Sequence, residues 1–234
     1  SGIAILAMII HATPPMLKMI LAGGVFAVLL GSVIGMVAGY KGGRTDVALM
    51  SVTDTLMAMP GLPLIIVLAF LIEPSNPYMI GILISINAWT GLARSIRSQM
   101  LPLRDIEYVE ANRLMGIPTR TILAKDIVPN LAPYIAVNFV LASRRIIFQS
   151  VALYFLGVLG TNKPNWGVMI DLAYSSGGAL YSWSSAHWLI IPMLAVVFFS
   201  LGFIFLSQAA DRLFNPRIRA RHQKTTADEE APEA

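Results

Sequence analysis

MLKMILAGGVFAVLLGSVIGMVAGY, residues 16–40, decides the fold class. The run is long enough for the ~20 apolar residues that a helix needs to cross a bilayer core. Its glycines are placed for packing. Gly31, Gly35 and Gly39 recur at every fourth position, so they line one helix face and let a neighbouring backbone come close.

The composition agrees with that reading. Of 234 residues, 56 % are apolar and 13 % charged, and the mean hydropathy is +0.69, far from soluble averages. The expected fold is all-α and polytopic, embedded in the cell (inner or plasma) membrane. With no cysteine, disulfides, thiolate metal sites and a cysteine nucleophile are excluded. His11, His187 and His222 are dispersed and lack an acidic or histidine partner at ligand spacing, so no metal site is expected. No nucleophile or metal set falls at a usable spacing within the spans, which argues against a membrane-embedded enzyme. A Gly-x-x-x-x-Gly-Lys-Ser/Thr loop is absent, so any ATP hydrolysis belongs to a partner and the chain itself needs no cofactor.

Outward from residues 16–40, the order of spans follows. Residues 1–15 end in Thr13, Pro14 and Pro15, which should stop a helix because proline lacks the amide donor and restricts its predecessor. They read as an external or interfacial segment, and the start at Ser1 without methionine reads as a fragment boundary. Lys41 and Arg44 flank a tight basic turn, which places it on the cytoplasmic side. The second span, 47–72, contains Asp54 and should kink at Pro60, Gly61 and Pro63. After an external turn at 73–77, the third span runs from Tyr78 to about Ala93 and returns to the cytoplasm at Arg94, Arg97 and Arg104. The fourth span is 131–159, residues 160–186 form an external segment with interfacial tryptophans, and the fifth span runs from His187 to about Ala210. Five spans that begin outside end inside, in agreement with the basic residues Arg212, Arg217, Arg219 and Arg221. Residues 218–234 read as a disordered cytoplasmic tail.

One polar stretch, residues 103–130, interrupts this pattern. Asp105 is placed to cap a helix beginning at Ile106, and Gly116 with Pro118 should end it. A helix over 105–116 is only two to three turns long and needs a neighbour to be stable. Glu110 and Arg113 share one of its faces. A second short helix is expected after Thr119, with Pro129 and Pro133 marking re-entry into the membrane. The residues alone leave two readings open: a loop lying on lipid headgroups, or a helix presented to a soluble partner.

Glu110, Ala111 and Asn112, then Gly116, Val128 and Pro129, resemble the EAA loop of ATP-binding-cassette importer permeases. That consensus is Glu-Ala-Ala, three residues, Gly, nine residues, Ile, one residue, Leu-Pro. This chain has Asn112 for the third alanine, Asp126 for the isoleucine and Val128 for the leucine. Further landmarks are similar to the C-type subunit of the dipeptide/oligopeptide subfamily: Gly39 to Gly43 with Asp46, Asp54 with Ala58, Met59 and Pro60, Ala93 with Arg94 and Arg97, Pro129 with Asn130 and Pro133, Phe155 to Gly157, and Asn165 to Gly167. The resemblance covers about residues 16–217.

It implies a permease domain with the EAA-type loop cytoplasmic, and six spans in the full fold, of which this chain would lack the first. It also implies that Glu110, Ala111, Asn112, Arg113 and Gly116 dock an ATPase, as a coupling helix. The implied partners are a homologous permease subunit, two cytoplasmic P-loop ATPase subunits that bind ATP and Mg, and an extracytoplasmic solute-binding protein. Peptides are the expected solute, with oligosaccharides or metal chelates as alternatives. A secondary transporter is the rival from another class, but it would use midplane carboxylates and internal repeats, and only Asp54 is available.

Four membrane-region side chains remain. Asp54 either pairs with a basic residue near the cytoplasmic interface or transmits motion from the loop. Arg144 and Arg145, near the middle of the fourth span, would each cost about 2.5 to 3.5 kcal/mol facing lipid, so they should face protein or a water-filled pathway. They are read as lining a pathway for an acidic or polar solute, or as pairing with another subunit. Gln149, where relatives commonly have a glutamate, joins them as a candidate.

Overall fold

The computed structural model describes residues 5–160, 165–175 and 178–214, with side chains through residue 209. Every described element is helical. In order they are α1 (Ile5–Lys41), α2 (Gly43–Ala58), α3 (Gly61–Ile72), α4 (Pro77–Ile84), α5 (Trp89–Arg104), α6 (Glu107–Leu114), α7 (Thr119–Ile122), a π turn (Leu123–Ile127), α8 (Val128–Phe155), α9 (Trp166–Ser175) and α10 (His187–Phe214). The expected tail, residues 218–234, lies outside the described residues.

The central element is α1, which packs along α5, α4 and α8. Its small residues make this possible. Gly31, Gly35 and Gly39 lie against Trp89, Leu92, Ala93, Ile96 and Met100 of α5, so close that a Cβ on Gly35 would come within 2.8 Å of Ile96 Cβ. Higher up, Gly23 meets Gly81 of α4 backbone to backbone. The opposite face of α1 carries Leu17, Leu21, Val25, Leu29 and Val33, all exposed and each four residues from the next. A helix apolar on both faces is what a bilayer accommodates.

Pro14 and Pro15 do not end the first helix, as the sequence led us to expect; they sit inside α1. Proline's fixed φ is compatible with a helix, but each ring removes an amide donor and crowds the carbonyl four residues back, a cost that the surrounding packing must offset. Here Ala12, Met16, Met19 and Ile20, on both sides of the prolines, are at most 1 % exposed and hold the helix through them. With 37 residues α1 is about 55 Å long, well beyond the ~30 Å hydrocarbon thickness.

Two further spans are broken. The α2–α3 pair bends by 90° at Met59 and Pro60, where the sequence predicts a kink, and α4–α5 bends by 58° over residues 85–88, where the third span was expected to be continuous. In the second break Ser85 Oγ donates to Ile82 O and Thr90 Oγ1 to Asn87 O, so side-chain hydroxyls compete with the helical ladder. The α1, α7–α8 and α10 helices are long and apolar enough to cross a membrane; if each bent pair counts as one crossing, there are up to five.

Trp166–Ser175 is helical and packed rather than irregular. Asn165 Oδ1 accepts from Gly167 N, the α9 helix packs on α8 and α10, and Trp166 is 2 % exposed with its ring edge-on to Phe199. Trp166 is therefore a core residue, whereas Trp183 is exposed. The described core divides into two main clusters. One joins the first half of α1 to α3, α4, α9, α10 and the end of α8, and the other joins the end of α1 to α5, α6, the π turn and the start of α8.

Candidate functional site

The second cluster supports the polar stretch. Val109, at 0 % exposure, is the single residue that α6 buries. It belongs to a buried apolar cluster with Met36, Ile96, Met100, Ile122, Ile127 and Leu131. A helix of two turns cannot hold itself in water, so this contact fixes it at the end of the bundle.

Asp105 does not cap α6. It terminates α5 and bonds to Arg104 Nε at 3.3 Å, while Ile106 takes the N-cap position with no side-chain bond. The Arg104 neighbour draws the carboxylate back along the chain, and α6 starts one residue later than expected. Its C-terminus follows the expectation. Gly116 has φ +74, its amide donates to Arg113 O, and the Ile117 amide donates to Asn112 O. This pair of bonds is a Schellman cap, which needs the left-handed conformation that glycine adopts without strain.

Of the residues singled out on this helix, Glu110, Ala111 and Arg113 are exposed on its outer surface, followed by Leu114 at 83 % and Met115 at 69 %. Asn112 differs. It turns inward and donates from Nδ2 to Asp126 Oδ2 at 2.8 Å. The helix expected after Thr119 exists, but it is not separate: α7 passes through the π turn into α8.

Beside this platform, α2 and α5 are joined by two ion pairs. Arg97 grips both oxygens of Asp46 at 2.5 Å, with the side chains 32 % and 15 % exposed. Arg94 pairs with Asp54, both about half exposed. Sequence reading flagged Asp54 and the arginines but not their pairing, since charges at 46 and 54 and at 94 and 97 carry no mark of which meets which. Of the two readings of Asp54, partnership with a basic residue is the one that has a contact.

Arg144 and Arg145 point to different places. Arg145 is exposed and, with Asn138, Ser95 and Gly91, lines a cavity of about 240 Å³ between α1, α5 and α8. Arg144 is half-buried against Phe203, Ser207 and Gln208 of α10, in a cavity of about 120 Å³. Neither makes an ion pair among the described residues. Gln149 is half-buried and its Oε1 has no hydrogen-bond partner there. No cluster of three or more histidine, aspartate or glutamate side chains is arranged for a metal among the described residues.

Comparison with known proteins places this arrangement. The family model for the binding-protein-dependent transport system inner membrane component matches residues 31–220. The chain is 36 % identical over 188 residues to the oligopeptide transport system permease protein OppC of Haemophilus influenzae, covering 79 % of this chain and 58 % of that protein. It is 33 % identical over 195 residues to the dipeptide transport system permease protein DppC of Bacillus subtilis, covering 82 % and 58 %. The chain thus spans less than two thirds of the length of these relatives. Among solved structures, the MetNI methionine ABC transporter in inward facing conformations has a chain that superposes with a TM-score of 0.68 at 16 % identity, over 92 % of this chain and 100 % of that one.

Proposed function

This chain belongs to the binding-protein-dependent transport system inner membrane components, and from that premise we propose that it is the transmembrane permease subunit of an ATP-driven importer for peptides or similar small solutes. The observation that carries the reading is α6: a short helix, sealed at its end by Gly116, anchored by Val109 and showing Glu110, Ala111, Arg113, Leu114 and Met115 outward. A surface of two charges beside two apolar side chains is suited to a soluble ATPase face rather than to headgroups alone. Gly116 ends this element with its left-handed cap, and Asn112 faces inward to Asp126, away from the docking surface.

In the mechanism that follows, this loop and the C-terminus lie in the cytoplasm. Two ATPase subunits bind ATP and Mg, an external binding protein delivers the solute, and a homologous permease subunit completes the pathway. Movement of the ATPases is passed through α6 to the bundle, which alternates its opening. The names of the relatives support peptides as the solute.

Purification of the full transporter tests this. A P-loop ATPase is expected to accompany the wild-type chain, and Glu110→Ala is expected to lower its retention by about tenfold, the effect of one charge-assisted contact. Transport by the chain alone in liposomes, without ATPase, would overturn the proposal.

The two arginines divide the remaining work. Arg145, with Asn138 and Ser95 around the larger cavity, lines the pathway and attracts acidic or polar groups, and Arg144 is structural, packing on α10. Arg145→Ala should lower uptake of free-carboxylate peptides several-fold more than of amidated ones, with assembly intact. Equal loss for both peptides would refute that role. Arg144→Ala should instead lower the melting temperature and leave the selectivity unchanged.

A further inference from the structure

Two pairs of polar side chains bind α6 to the root of α8. On α6, Tyr108 and Asn112 are four residues apart and so share a face; on the π turn and the first turn of α8, Asp126 and Asn130 are spaced likewise. The two faces meet as rungs. Asn112 Nδ2 donates to Asp126 Oδ2 at 2.8 Å, and Asn130 Nδ2 lies 3.1 Å from Tyr108 Oη and 2.7 Å from Asp126 O, donating to both. Asn130 thereby ties the second rung to the backbone of the first. Asn112 and Asp126 also occupy two of the three positions at which the sequence departs from the EAA consensus, and the two departures touch each other.

We infer that Tyr108, Asn112, Asp126 and Asn130 form a clasp that makes α6 and α8 move as one body. This rests on the docking role proposed for α6 and assigns the route by which its movement enters the membrane. Val109 alone is an apolar pivot: it resists separation of α6 from the bundle but not rotation about the contact, because dispersion and burial are non-directional. Two hydrogen-bonded rungs to one side of the pivot remove that rotation. The strongest is charge-assisted, Asn112 to the Asp126 carboxylate, in a half-buried site where such bonds exceed neutral ones. The rungs land where the chain enters α8, the helix that carries Arg144, Arg145 and Gln149. A tilt of α6 is therefore delivered to α8 rather than lost in the loop. Asn112 and Asp126 are positioning residues, since neither needs to touch the ATPase or the solute.

A swap tests the clasp in the assembled transporter, reading solute transported per ATP hydrolysed and ATPase retained per permease. Asn112→Asp sets two carboxylates against each other and should cut transport per ATP by about tenfold, while ATPase retention stays within about twofold. Adding Asp126→Asn restores a donor and an acceptor with their places exchanged, and should return the ratio to within about twofold of wild type. Normal transport per ATP in Asn112→Asp, or failure of the swap to recover it, would overturn the clasp. Because both variants are normalised to assembled complex, a loss of expression does not mimic either result. If no ATPase accompanies even the wild-type chain, the docking reading itself falls, and the clasp's coupling role with it.

Discussion

Gly81→Val is expected to lower sharply the amount of folded protein recoverable from the membrane. Gly81 of α4 lies against the backbone of α1: a Cβ there would come within 2.8 Å of the Met19 carbonyl carbon and 2.9 Å of Met19 Cα, and nearer still to the carbonyl oxygen. Facing it, a Cβ on Gly23 would come within 2.9 Å of the Gly81 carbonyl carbon. These neighbours are main chain, not the far end of a flexible side chain, so relief requires α1 and α4 to move apart. That separation would open the cluster containing Met16, Met19, Ile20, Ile80 and Ile84. Overpacking in a fixed core costs about 1 to 3 kcal/mol, and a branched side chain between two touching backbones belongs at or above the top of that range. Size-exclusion profiles in detergent check it, with Gly91→Ala as the control: that position has open space around it and should behave as wild type. A monodisperse Gly81→Val protein would mean that the α1–α4 contact is not required.

The second large effect is expected from Arg97→Ala. The substitution leaves Asp46, 15 % exposed, without the guanidinium that holds both its oxygens. Breaking a buried pair by removing one partner costs about 3 to 5 kcal/mol; because Arg97 is itself about a third exposed, we discount this to about 2 kcal/mol. Arg94→Ala, which removes the half-exposed pair with Asp54, should cost no more than about 1 kcal/mol. Thermal melts of the two purified variants should separate clearly, and Asp46→Asn added to Arg97→Ala should recover part of the loss by removing the stranded charge. Equal melting temperatures for the two arginine variants would refute the ranking.

What the sequence made legible was local. The spacing of Gly31, Gly35 and Gly39 announced a close-packed helix face, and Pro60 with Gly61 announced the break that became a 90° bend. Gly116 announced the left-handed cap, which the bonds to Asn112 O and Arg113 O complete. Signals failed where tertiary contact outweighed them. Pro14 and Pro15 looked like a stop, but buried residues on either side keep α1 continuous. The break at residues 85–88 contains neither proline nor glycine, so nothing in its composition gave it away. Asp105 had the chemistry of a cap and was claimed by Arg104. Of the site, Glu110, Arg113 and Gly116 could be found by spacing, whereas the Asn112–Asp126 bond joins residues 14 apart and depends on how α7 runs into α8.

The π turn at Leu123–Ile127 holds one residue more than an α-helical turn of the same rise would. The wider turn absorbs that extra residue, so α7 and α8 keep nearly the phase that a regular helix one residue shorter would give them. Were the same five residues to tighten into α-helix, everything before them would rotate by about 100° relative to the bundle. Tyr108 and Asn112 would then face away from Asp126 and Asn130. The width of this turn thus acts as a phase setting between the exposed helix and the membrane helices, so a one-residue insertion, which the turn has no slack to absorb, should damage transport more than a one-residue deletion at the same positions.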